Sequence, residues 1–82
     1  MKVGTVTGAV WATKKCDAFR GVSLMKVAIP EGEVVAADLV GAGRGERVVL
    51  AFGKAARYCA EQDFVDCAII GILDEGENHV DQ

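Results

Sequence analysis

Between Asp38 and Gly53 the chain reads DLVGAGRGERVVLAFG, and Gly41, Gly43 and Gly45, with Arg44 between the last two, are spaced as in a phosphate-binding loop. Such a loop works when its backbone N–H groups open a helix whose N-terminus faces the anion. A dinucleotide fingerprint places its third glycine where Glu46 stands, and the residues that follow, Arg47 to Phe52, are β-branched and aromatic, so a strand is expected there. The Glu46 carboxylate would also repel a phosphate held by the same loop. The glycines are therefore read as supplying positive φ and close backbone approach in a strand-to-strand turn.

Other reactive residue types are sparse. Cys16, Cys59 and Cys67 form no C-x-x-C pair, which suits neither a disulfide framework nor a local zinc knuckle, and with the lone His79 they are too scattered to hold a metal. Ser23 is the only serine, and no base is placed to activate it. Asp38, Asp66 and Asp74 fall at strand ends, where carboxylates commonly cap turns or pair with arginine. No catalytic residue, metal or cofactor is assigned. The net charge of −3 carries no basic block beyond Lys14 and Lys15, so nucleic acid is disfavoured. The opening MKVGTVTGAV lacks the unbroken apolar stretch of a secretory signal, and the longest apolar run, Cys67 to Leu73, is far short of the ~20 residues that span a bilayer. A reduced, cytosolic, membrane-free setting is the expectation.

These residues need a frame. With 82 residues, 51% of them hydrophobic, and one proline, the chain has room for one small domain over residues 1–74 and a polar tail over residues 75–82. Val3 to Thr13 alternates as a long strand whose glycines suit a sharply bent sheet, as in a small closed barrel. Val22 to Ile29 reads as a second strand, Pro30 to Glu33 as a turn, Val34 to Val40 as a third strand, Arg47 to Phe52 as a fourth and Asp66 to Leu73 as a fifth. Lys54 to Glu61 is alanine-rich with Ala56, Cys59 and Ala60 at helical spacing and Arg57 four residues before Glu61, so one short helix is expected between the last two strands.

The fourth and fifth strands are apolar at consecutive positions, so both of their faces must be covered. A barrel interior covers one face and the short helix part of the other. Either the helix and tail cover the rest or a second subunit does, and the expectation here is an oligomer of small β-barrels.

Taken together, GTVTGAVWATKK at the start, AADLVGAGRGERVVLAFGKAAR in the middle and VDCAIIGILDE near the end resemble, in order and spacing, the EutN/CcmL family of bacterial microcompartment vertex proteins. The matching motif positions are Gly41, Ala42, Gly43, Gly45, Glu46, Ala56, Arg57, Asp66, Gly71 and Asp74. The resemblance implies a mainly β fold, a five-stranded OB-like barrel with one short helix between the fourth and fifth strands. It also implies a homopentamer with a narrow central pore, at the five-fold vertices of a polyhedral shell in the bacterial cytoplasm, beside hexameric shell proteins. It implies no enzymatic activity. The segment between the second and third strands is shorter than is common in the family, and Phe64 stands where a proline is usual. The alternative is a small OB-type module that binds nucleic acid or a metabolite, and it lacks a cluster of stacking aromatics and a basic groove.

Overall fold

Five strands, the first three with polar residues interspersed and the last two almost wholly apolar, curl into a closed barrel in the order β1-β2-β3-β5-β4. The computed structural model describes residues 1–12 and 14–74, so the expected tail, with His79, lies outside the described residues. Strand β1 (Lys2–Ala9) pairs antiparallel with β4 (Arg47–Phe52) through its first half and with β2 (Leu24–Ile29) through its second, a bulge between Val6 and Gly8 marking the bend. An added Cβ at Gly4 would lie 2.6 Å from both the Ala28 carbonyl oxygen and Val27 Cγ1, so glycine is required where these strands close together.

The first strand is shorter than its alternating pattern suggests. Pairing ends at Ala9 opposite Met25, one further bond runs from the Val10 N–H to the Leu24 oxygen, and Trp11 is 90% exposed. Alternation reports a side-chain pattern, whereas the strand stops where its partner does; Thr13 is not among the described residues. The connection to β2 contains a short 3-10 turn, Asp17–Phe19, for which the sequence carries no distinct signal.

Strand β3 (Gly32–Asp38) pairs antiparallel with β2 from Ile29 opposite Gly32 to Leu24 opposite Ala37. It starts and ends two residues earlier than expected. Strand β5 (Cys67–Ile72) lies between β3, which it meets in parallel, and β4, which it meets antiparallel. Between β4 and β5 runs the expected helix α1 (Gly53–Ala60). Its end is held by backbone bonds from Glu61 and Gln62 to the Arg57 carbonyl, with Glu61 left-handed at φ 57°.

Val6, Met25, Val27, Ala36, Val48, Leu50, Cys67 and Ile69 fill the barrel. A second, smaller core lies outside it, where Ala56 of α1 packs with Ala51 and Ala68 of the two doubly apolar strands. Alanine on all three elements lets the helix lie close to the sheet. Among the described residues no helix is long and apolar enough to cross a membrane.

Candidate functional site

The glycine loop joins β3 to β4, which are not neighbours: β5 lies between them, so residues 39–46 cross one end of the barrel rather than closing a hairpin. Asp38 organises the crossing. Its carboxylate accepts N–H bonds from Val40 at 3.1 Å, Gly41 at 2.9 Å and Ala42 at 2.9 Å. This fold of the backbone turns the Ala42 methyl into the barrel core, where it is 7% exposed. The Glu46 carboxylate accepts the Gly43 N–H at 2.6 Å, and the Gly45 N–H donates to the Val6 oxygen at 2.8 Å. The N–H groups that would cradle a phosphate are thus bonded to the chain's own carboxylates and carbonyls, and β4 follows where a phosphate loop has a helix. The loop is a barrel cap.

The three glycines differ. Gly41 and Gly45 have φ of 77° and 89°, which disfavour any side chain, whereas Gly43 has no positive φ and an added Cβ would meet only Glu46 Oε1, at 3.5 Å. The expectation of positive φ holds at two positions and not at the third.

The remaining motif positions serve several places. Ala56 is fully buried under α1, and Arg57 contributes its carbonyl to the helix end. The Asp66 carbonyl accepts the Gly53 N–H at 2.8 Å, tying the start of α1 to the residue before β5. Gly71 lies in β5, and Asp74 is exposed just after it. Asp74 lines an open groove of about 420 Å³ together with Gly45 and Glu46, and the other four do not meet there.

Chemical groupings are equally dispersed. Among the described residues no cluster of His, Cys, Asp and Glu could hold a metal. Cys16 and Cys59 are exposed, while Cys67 is buried and its thiol pKa is pushed up by burial and then by the neighbouring Asp66 carboxylate. An open groove of about 520 Å³ beside the β2–β3 turn has its Lys2 ammonium bonded to Glu31 at 2.6 Å, which lowers the Glu31 pKa.

What the surface does offer is apolar area. Val3 is 39% exposed, Val35 49% and Ile72 41%, and Val49 and Ile70 are half-buried on the outer faces of β4 and β5. The cluster under the helix takes in Ala51 and Ala68, with Ile70 packed against it; of the uncovered residues Val3 and Val35 lie on β1 and β3, not on the two doubly apolar strands.

The described residues thus form a small closed barrel with a self-bonded cap and apolar positions left exposed on its outside. The family described as ethanolamine utilisation protein EutN/carboxysome matches residues 1–74, and the chain belongs to this EutN/CcmL family. It is 38% identical over 86 residues to the bacterial microcompartment shell vertex protein GrpN of Rhodospirillum rubrum, covering 94% of this chain and 97% of that one. The barrel superposes on the structure of CcmL from Nostoc sp. PCC 7120 with a TM-score of 0.83 at 36% identity, covering 94% of this chain and 93% of that chain. The GrpN pentameric microcompartment shell protein gives a TM-score of 0.81 at 34% identity, covering 96% and 100%.

Proposed function

We propose that this chain forms a homopentamer that closes the shell of a bacterial microcompartment at its five-fold vertices, in the bacterial cytoplasm, beside hexameric shell proteins and without catalytic activity of its own. The observation that carries the reading is the likeness, over nearly all of both chains, to a pentameric shell protein. What these side chains do supports a structural role: Asp38 and the motif residue Glu46 bond the chain's own backbone, and the motif residues Ala42 and Ala56 fill its cores. In this reading Gly41, Gly45 and Glu46 shape the cap, Ala56, Arg57 and Asp66 seat the helix, and Gly43, Gly71 and Asp74 face other subunits or shell proteins. The aromatic pair of the described residues, Phe19 with Phe64, is half-buried with ring centroids 4.7 Å apart, and does not form the exposed stacking row that a nucleic-acid module needs.

A sheet of six-fold units alone lies flat or rolls into a tube, and closing it into a polyhedron requires five-fold units at the corners. In cells lacking the gene and any second vertex paralogue, electron microscopy should therefore find open or elongated shells with their enclosed enzymes active. Closed polyhedra of normal shape would overturn the vertex role, and loss of a single reaction step with intact shells would point to an enzyme.

A further inference from the structure

A closed ring of five is built head to tail, so each subunit must carry two different surfaces that fit each other, one for each neighbour. We infer, on the basis of the pentamer reading, that these are an outer ridge of Val3, Val49 and Ile70 around the bare backbone of Gly71, and the groove between Phe19, Phe64 and Val35 of the next copy.

The ridge follows from register. Val3 stands opposite Val49 and Val49 opposite Gly71, while the adjoining Gly4, Val48 and Leu50 are buried on the inner side, so the first three share the outer face. A shift in pairing between Val49 and Leu50 leaves Ile70 as the extra residue beside them. Gly71 is the independent sign of a partner. Its φ is not positive, and an added Cβ would meet nothing within 4 Å. Glycine weakens a strand interior, and neither conformation nor packing within the subunit requires it here; a backbone left bare on an apolar outer face admits the close approach of another chain.

The groove is the complementary shape. It encloses about 250 Å³ between the 3-10 turn and the outer side of β2 and β3, with Phe19 and Phe64 as an edge-to-face wall and Leu24, Val35 and Ala37 along its length. Val35, 49% exposed, is its uncovered apolar residue, and the exposed Asp66 lines the same groove. The ridge runs over β1, β4 and the far half of β5, and the groove over β2, β3 and the residues leading into β5, so the two are different patches of one subunit. Contact between unlike patches is heterologous and closes into a ring when the rotation allows.

Two variants test the pairing. Gly71→Leu adds bulk where the lone subunit has open space, and Val35→Glu places a charge in the groove at an exposed position. By native mass spectrometry at micromolar concentration the parent protein should be a pentamer and each variant a monomer, with circular dichroism unchanged. Val3→Glu replaces Gly71→Leu should the latter fail to fold. Mixing the ridge and groove variants should give a one-to-one dimer and nothing larger, because each retains the surface that the other has lost. A parent pentamer whose variants remain pentameric, or whose folded monomeric variants do not pair on mixing, overturns the assignment of these surfaces and leaves the pentamer standing. A monomeric parent overturns the pentamer reading itself.

Discussion

Asp38 carries more of the cap than any glycine, since one carboxylate accepts three successive N–H groups and thereby seats Ala42 in the core. Asp38→Ala is expected to lower stability by about 1–3 kcal/mol in urea unfolding, the range for losing charged hydrogen bonds that are part-exposed. Gly41→Ala and Gly45→Ala should each cost about 1–2 kcal/mol for forcing a Cβ into left-handed backbone, while Gly43→Ala should be near neutral in an isolated subunit. Equal costs at all three would refute this division. The sequence shows that the loop does not open a helix, because Glu46 and the strand residues after it can be read directly. It does not show which glycines are needed, since φ and the crossing over β5 depend on strand order. Cys67 sets a pH dependence whose sign follows from its raised pKa. The folded chain keeps the thiol proton at pH values where the unfolded chain has lost it, so the group's contribution is full below the ordinary thiol range and declines as pH rises through it. Cys67→Ala should therefore lose less melting temperature between neutral and alkaline pH than the parent; parallel losses would exclude Cys67 as the cause.

At the scale of elements, strand β4 is legible residue for residue and α1 within one residue of either end, because a β-branched run and an alanine-rich run need little context. The limits of β1 and β3 are not legible: Trp11 and Ala12 continue the alternation beyond the last bond to β2, and the Asp38 side chain ends β3 before its apolar run does. The helix is held from outside its own sequence, by Ala56 against Ala51 and Ala68 and by the Asp66 carbonyl at its start. Ala56→Leu should thus destabilise the fold by about 1–3 kcal/mol through overpacking, although leucine is nearly as good a helix former. Glu61→Gly, by contrast, should raise the melting temperature, since Glu61 occupies the left-handed cap that glycine adopts without strain. A lower melting temperature for Glu61→Gly would mean that its side chain contributes more than its backbone costs.

At the scale of the whole molecule, the balance between core and surface determines what the chain does. Val6, Val27, Val48, Leu50 and Ile69 are its largest fully buried side chains, and no aromatic ring is fully buried among the described residues. A domain of this size buries a smaller share of its surface than a large one and is correspondingly marginal alone. Val3 and Val35 are exposed and Val49 is half-buried, so in the proposed ring assembly would add stability to that of the barrel core. When unfolding is coupled to ring dissociation, mass action makes the melting temperature rise with protein concentration, because the folded subunit is drawn into the ring and the unfolded chain is not. Scanning calorimetry over a hundredfold range of concentration should show that rise for the parent protein. Val35→Glu, if it breaks the ring without unfolding the barrel, should melt lower and at a temperature independent of concentration. A parent whose melting point does not move with concentration, at values where native mass spectrometry shows dissociation beginning, would mean that the barrel is stable alone and that the apolar faces serve contacts other than the ring.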